Sequence, residues 1–173
     1  MVTLLALITA KRVSSLSLLS LEEGFIQQYD SRFVLQPKGL EKHDRPGYKS
    51  TPLIIDAFLQ DHLLCPFLCL RDYLERTKEL RTSDCLFVTS RRPFSKATPA
   101  TLARWVKSAI IQSGQWGTGG SARGVVTSTV LTLGETLGEV MMAADWTRSS
   151  TFTKFYYKAI PMNHIQEAVN KLI

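Results

Sequence analysis

The stretch AADWTRSSTFTKFYYK, residues 143–158, places Trp146 ten residues before Tyr156, which is followed directly by Tyr157. We expect Thr151 to Tyr157 to form one or two helical turns. Clustered aromatic residues usually pack in a core, so packing alone accounts for Trp146 and Tyr156. A tyrosine phenol beside a bound phosphate can also attack phosphorus as a nucleophile. The segment therefore leaves a structural and a catalytic interpretation open.

Two arginines lie upstream in settings suited to binding an anion. The opening segment VTLLALITAKRVSSLSLLSL, residues 2–21, is apolar on nearly all sides, which predicts one buried helix containing Arg12. A guanidinium in such a helix is costly unless it serves an anion or a carboxylate, although helix ends often carry structural arginines. Arg123 opens a second predicted helix, Ala122 to Leu133, after a glycine-rich loop. Two rigidly held arginines beside a helix N-terminus can clamp a phosphate.

The rest of the chain predicts an α+β fold that is mostly helical, with one small antiparallel sheet. From Gly24 to Ile55, the β-prone pieces FIQQY, RFVLQ and TPLII alternate with proline and glycine, which indicates a hairpin-rich sheet. Helices are expected in CPFLCLRDYLERTKELR, in PATLARWVKSAIIQSG with Thr98 or Ser95 as cap, and in the terminal MNHIQEAVNKLI. CLFVT is expected to form a short buried strand.

Composition narrows the class of protein. A chain of 173 residues with 45% hydrophobic and 21% charged residues is typical of one globular domain and excludes a disordered or fibrous protein. The net charge of +6 favours a polyanionic partner. An odd number of cysteines, three, argues against a secreted disulfide framework. His62, Cys65 and Cys69 fit apolar packing better than a metal site. The apolar opening is too short to span a bilayer.

Taken in order, these motifs resemble the catalytic domain of the tyrosine recombinases, the phage-integrase-like enzymes. The closest resemblance is to the eukaryotic DIRS-like and Crypton-like transposon recombinases. It covers nearly the whole chain, and its most specific part is the segment that ends in FYYK. The stretches that carry it are AKRVSSLSLLSL, KHDRPG, KATPATLARWVKSAIIQSG, SARGVVTS and AADWTRSSTFTKFYYK.

The resemblance implies a role for each matching residue. Arg12 and Arg123 match the two arginines that bind the scissile phosphate, and Tyr156 matches the nucleophile that forms a 3′-phosphotyrosyl bond. Trp146 falls where the family has a histidine or tryptophan that supports the phosphate or the nucleophile's helix. Lys42 matches the hairpin lysine that protonates the 5′-oxygen leaving group. Tyr157 and Lys38 are the weaker alternatives for nucleophile and acid.

Two positions depart from the family pattern. Gly120 stands where the family usually has a histidine three residues before the second arginine, so a side-chain donor to the phosphate is missing. Loss of one such donor costs about 10²–10³ in rate. Ser15 stands where a glutamate commonly follows the first arginine, so Arg12 loses an expected carboxylate partner. A catalytically impaired DNA-binding or interaction module therefore remains the alternative to an active enzyme.

The resemblance also implies partners and context. We expect double-stranded DNA as substrate, no metal or nucleotide cofactor, and a nuclear location. The terminal helix after Pro161 either folds back or joins protomers into a tetramer on DNA. The chain is expected to be a single catalytic domain, residues 1–173, that is N-terminally incomplete and lacks the core-binding domain. Phosphate-dominated and salt-sensitive DNA binding follows from this. A type IB topoisomerase-like enzyme is a third, weaker alternative.

A basic run is the candidate DNA-binding surface, although a merely solvated helix face explains such a run equally simply. Its members are Arg91, Arg92, Lys96, Arg104 and Lys107.

Overall fold

A computed structural model describes residues 1–41 and 51–157 of the chain. These residues form an α+β fold with mostly helical elements and one three-stranded antiparallel sheet, which confirms the predicted fold class. No helix among them is long and apolar enough to cross a bilayer. The elements are α1 (Val2–Thr9), α2 (Val13–Leu16), β1 (Ile26–Gln28), β2 (Arg32–Leu35), β3 (Leu53–Asp56), α3 (Pro66–Thr77), α4 (Pro99–Gln112), α5 (Gly119–Thr132), α6 (Leu137–Ala143) and α7 (Ser149–Phe155).

The opening apolar segment is two helices rather than the single helix predicted from its sequence. Ala10 has a left-handed backbone with φ 50°, and Arg12 is extended at the start of α2. A non-glycine residue in this conformation costs about 1–2 kcal/mol. The break lets the buried Lys11 ammonium pair with the Asp145 carboxylate. The apolar sequence around Lys11 does not indicate this pairing. The prediction of one helix was wrong because this pairing depends on a residue far along the chain.

The sheet matches its prediction, with strand order β1-β2-β3 and antiparallel pairing throughout. Phe33 pairs with Ile55 and Leu35 pairs with Leu53, and all four side chains are buried on the same face. Strand side chains alternate between faces, so this face belongs to the core and the other faces solvent. The Phe33 ring packs 5.0 Å from the ring of Phe67 on α3, which joins the sheet to the helices.

The predicted strand CLFVT does not form as a strand. Leu86, Phe87 and Val88 are buried as expected, but Cys85 and Val88 make only single β-bridges, to Ser20 and Lys96. The two bridges of this segment go to two different parts of the chain, one at Ser20 and one at Lys96. A continuous ladder with one partner is therefore absent from this part of the described chain.

Helix α5 begins three residues before the predicted start. The Thr118 hydroxyl accepts from the Ser121 backbone N–H, and the Ser121 hydroxyl accepts from the Thr118 N–H. This capping box moves the helix start to Gly119. Arg123 therefore lies in the second turn of α5, rather than at its first residue.

The apolar interior has two parts. The larger cluster lies between the sheet and helices α1 to α4. The smaller one packs the α1–α2 junction at Ala10 against α6 and α7 through Val140, Ala144, Trp146 and Phe152. This second cluster holds the end of α1, helix α6 and helix α7 close together. The candidate site lies beside it.

Candidate active site

Arg123 is the central residue of the site and is only 3% exposed. One guanidinium nitrogen, Nη2, donates to the carbonyl oxygen of Ala144. The guanidinium lies 4.2 Å from the centre of the Trp146 ring and 5.4 Å from that of Tyr156. Its Nε and Nη1 are buried and make no well-aligned hydrogen bond within the described residues, although the Tyr156 phenol contributes a weaker hydrogen-bonding interaction to the guanidinium. Buried donors are normally satisfied, so these two nitrogens are suited to an external anion.

The pKa of Arg123 reflects this environment. Burial lowers it to about 10, and the positive charge of Arg12 acts in the same direction. Tyr156 and Asp145 oppose the change. Arg123 remains a cation at neutral pH, and it is close enough to Arg12 for the two charges to repel each other. An anion bound by both arginines would relieve that repulsion.

A cavity of about 450 Å³ lies beside these groups. Arg12 reaches it from the start of α2, and Tyr156 reaches it from the end of α7. Its remaining lining comes from α5 and α7: Gly120, Ser121, Gly124, Thr151 and Phe155. Arg12 and Tyr156 therefore border one space that is large enough for a phosphodiester.

Tyr156 is half-buried and is held by its backbone and its ring. Its N–H donates to the Phe152 carbonyl oxygen over 2.9 Å, and its ring centre lies 4.7 Å from that of Trp146. Trp146 is buried and also packs 5.1 Å from the Phe152 ring. The aromatic packing expected of this segment is present, and the same packing fixes the phenol over Arg123.

Gly124 is a site residue that the sequence reasoning missed. A Cβ atom at this position would come within 2.7 Å of the Tyr156 carbonyl oxygen. Only glycine lets the end of α7 approach α5 this closely. The available signal was a glycine inside a predicted helix, directly after Arg123.

Buried charges behind the arginines were missed as well. Lys11, beside Arg12 in sequence, pairs with Asp145, beside Trp146. Ser15, where the resemblance leads one to expect a glutamate, donates from its hydroxyl to Glu41 Oε2 over 2.9 Å. A buried carboxylate thus lies next to position 15, supplied from a distant part of the chain. The signal in the sequence was a lysine at the end of an apolar helix.

Solved structures of DNA recombinases share this architecture. XerA recombinase matches with a TM-score of 0.65 at 17% identity, over 98% of this chain and 54% of that one. XerH site-specific recombinase bound to difH substrate gives 0.61 at 17%, over 96% and 44%. The Tn1549 transposon integrase in complex with transposon right end DNA gives 0.63 at 12%, over 98% and 56%. The chain has the tyrosine-recombinase fold.

This likeness is one of fold, and the chain spans about half the length of the recombinases it matches. No protein-family model matches the sequence, and no curated protein matches it. Among the sequence-predicted residues, Arg12 and Tyr156 line one cavity. Arg123 and Trp146 are buried beside it, with the guanidinium packed on the Trp146 and Tyr156 rings. The roles of these residues remain predictions.

Other predicted residues lie elsewhere. Lys42 is outside the described residues. Lys38, its alternative, is exposed and pairs with Glu22, which raises the lysine's pKa through their hydrogen bond. Lys38 lines a different cavity from the one that Arg12 and Tyr156 share. Tyr157 is 47% exposed and packs its edge against Phe152.

The predicted basic run of this chain is exposed along α4 and the loop before it. None of the ion pairs found within residues 1–41 and 51–157 involves its five members, Arg91, Arg92, Lys96, Arg104 and Lys107. Five uncompensated cations on one stretch are suited to a polyanion. The terminal helix predicted after Pro161 lies outside the described residues.

Cys65 has a structural task at the start of α3. Its sulfur accepts from the backbone N–H groups of Leu68 and Phe58. The thiol therefore serves as the cap of the helix. Within the described parts of the chain, no cluster of three His, Cys, Asp or Glu side chains is arranged to hold a metal.

Proposed function

We propose that the protein breaks and rejoins DNA strands through a 3′-phosphotyrosyl intermediate, as a recombinase or integrase of the eukaryotic transposon type. The observation that carries the proposal is the shared cavity, which Arg12 and Tyr156 line beside buried Arg123. A tyrosine and one arginine at the same space, with a second arginine buried against that tyrosine, supply the nucleophile and the positive charges that transesterification at phosphorus requires. The recombinase fold supports the same chemistry.

In the proposed reaction, the Tyr156 oxygen attacks the scissile phosphorus, and the phenol proton passes to solvent. The P–O5′ bond breaks, and the leaving 5′-oxygen takes a proton from Lys42, the acid that the resemblance assigns. Arg12 and Arg123 bind the non-bridging oxygens, whose negative charge rises in the transition state. Attack by the 5′-hydroxyl of another strand then reverses these steps. The phosphotyrosine conserves the bond energy, so no metal or nucleotide takes part.

The proposed substrate is double-stranded DNA. Several solved neighbours are complexes with DNA, among them one with difH substrate and one with a transposon end. The exposed basic run supplies phosphate contacts, which give register and affinity without reading sequence. A tetramer on DNA, joined through the terminal helix, and a nuclear location complete the proposal.

Covalent trapping on a nicked suicide duplex tests the proposal. The nick lets the 5′-hydroxyl fragment diffuse away, so the tyrosyl–DNA bond accumulates. We expect a denaturant-resistant adduct with the natural chain and none with Tyr156→Phe. Tyr157→Phe is the matched control, because it removes the neighbouring phenol and should leave adduct formation intact.

A non-catalytic DNA-binding module is the second candidate, and Gly120 is the observation that favours it. This residue lines the cavity without any side chain to donate to a phosphate. The module hypothesis predicts duplex binding that depends on Arg12 and Arg123, with no adduct in the trapping assay. The two hypotheses therefore differ in one measurement.

A further inference from the structure

The Lys11–Asp145 ion pair is almost fully buried, with the two side chains 5% and 2% exposed. The Lys11 ammonium also lies 3.3 Å from the Thr51 hydroxyl, just before β3. Burying two charges carries a desolvation penalty, and an apolar pair of similar volume often stabilises a fold as well. Stability alone is therefore a weak reason for this pair.

Both partners are next to site residues in the chain. Lys11 precedes Arg12, and Asp145 lies between Ala144, whose carbonyl accepts from Arg123, and Trp146, whose ring packs on Arg123. Each side of the pair also has an unusual backbone, with φ 50° at Ala10 and at Asp145. The pair thus joins the junction that carries Arg12 to the junction that holds Arg123.

Asp145 also has a charge that could compete with substrate. It acts electrostatically on Arg123, and its Oδ1 is buried without a hydrogen-bond partner among the described residues. A carboxylate left without Lys11 would be attracted to the same arginines as a phosphate. The ion pair with Lys11 neutralises that carboxylate.

We propose that the Lys11–Asp145 pair is the positioning device of the phosphate site. It fixes Arg12 relative to Arg123, Trp146 and Tyr156, and it keeps the Asp145 carboxylate away from the arginines. This inference rests on the proposed function for its kinetic consequence, while its structural consequence is independent of catalysis.

The test compares Lys11→Met/Asp145→Asn with a matched exposed pair, Arg32→Met/Asp56→Asn. Asparagine tolerates the left-handed backbone of position 145, and methionine approximates the length of lysine. We expect the buried double variant to remain folded and to form adduct on the nicked duplex about 10- to 100-fold more slowly. The exposed double variant should match the natural chain. An unchanged rate in the folded buried variant would overturn the proposal.

The single change Lys11→Met adds a sharper comparison. It leaves the Asp145 carboxyl group without its lysine partner, so we expect weaker binding of the nicked duplex than in the double variant. Restoration of affinity by the second substitution, Asp145→Asn, supports competition between Asp145 and phosphate. Equal affinity of the single and double variants contradicts it.

A readout without catalysis separates this inference from the proposed function. The indole N–H resonance of Trp146, assigned by its loss in Trp146→Phe, should shift in the buried double variant and stay in place in the exposed one. If the natural chain forms no adduct, the proposed function fails, and this resonance alone still decides the positioning role. An unmoved resonance overturns that role. If the double variant does not fold, Asp145→Asn alone is subject to the same criterion.

Discussion

Arg123 combines burial, two aromatic neighbours and a nearby like charge in one side chain. An arginine keeps its charge under these conditions because its ordinary pKa is so high. Even after burial and the Arg12 charge have lowered that pKa, its value of about 10 leaves the guanidinium protonated at neutral pH. The residue type at this position is therefore set by electrostatics as much as by geometry.

Replacement of Arg123 by lysine should make phosphate binding depend on pH. The ordinary lysine pKa is about 10.4, and the same burial and repulsion would lower the pKa of a lysine at this position. A depressed pKa means that the cation is lost as pH rises. We expect the duplex affinity of Arg123→Lys to fall as pH rises above neutrality, at pH values where the natural arginine, with its pKa of about 10, stays charged.

The measurement is a pH series of binding titrations at constant ionic strength. Both proteins carry Tyr156→Phe, so that the phenol does not titrate. Parallel profiles for arginine and lysine would contradict the electrostatic account of position 123.

Gly120 offers a gain-of-function prediction. It is the exposed second residue of α5, and the nearest atom to an added Cβ is Thr118 Oγ1 at 3.6 Å, an ordinary contact. A histidine there would add a donor at the edge of the cavity. We expect Gly120→His to speed adduct formation about tenfold or more.

The matched control for this change is Gly120→Ala, which adds the Cβ and favours the helix without adding a donor. Its adduct rate should equal that of the natural chain. An equal rise in both variants would assign the effect to helix stability and remove the argument for a missing donor.

At the level of elements, the contact between α5 and α7 sets the position of Tyr156. Gly124→Ala would place a methyl group 2.7 Å from the Tyr156 carbonyl oxygen, so the end of α7 must move. We expect loss of adduct formation by about 100-fold, since small displacements of reacting groups are costly, with duplex binding largely kept. Rates and affinities are measured on the same nicked duplex.

Gly138→Ala on α6 provides the control, because its added Cβ meets only Thr136 Oγ1 at 3.9 Å. This variant should behave as the natural chain does. A Gly124→Ala protein with normal adduct formation would show that close packing of α7 on α5 is dispensable.

The elements differ in how far local sequence specifies them. The sheet and helices α3 and α4 follow from alternation, helical spacing and the Thr98 cap, which are all short-range signals. The break at Ala10 does not, because the Lys11–Asp145 pair spans 134 residues of sequence. The failed strand CLFVT shares this cause in part, because Cys85 bridges to Ser20, far earlier in the chain, while Val88 bridges to the nearby Lys96.

The site divides in the same way. Arg12, Arg123, Trp146 and Tyr156 could be named from motif order. The structure places Arg12 and Tyr156 on one cavity, with Arg123 and Trp146 buried against Tyr156. Gly124 could not be named, because its role is a backbone contact with a residue 32 positions later. The carboxylate of Glu41 beside Ser15 is likewise visible only after folding.

For the molecule as a whole, the charge of +6 and the exposed basic run predict salt-dependent DNA binding. Removing two of the proposed phosphate contacts with Arg104→Gln/Lys107→Gln should reduce the magnitude of the slope of log affinity against log salt by about two. Arg76→Gln/Lys78→Gln, on and just after α3, removes the same charge from outside the run. Its slope should change less, and equal changes would indicate a diffuse charge effect instead of a defined surface.

The central claim, that Tyr156 becomes covalently joined to DNA, is tested most directly by peptide mapping of the trapped adduct. The adduct is digested with protease and nuclease, and the modified residue is located by mass spectrometry. We predict a 3′-phosphonucleotide on Tyr156 and none on Tyr157. A modification on Tyr157, or an unmodified chain that nevertheless binds the nicked duplex, would contradict the claim.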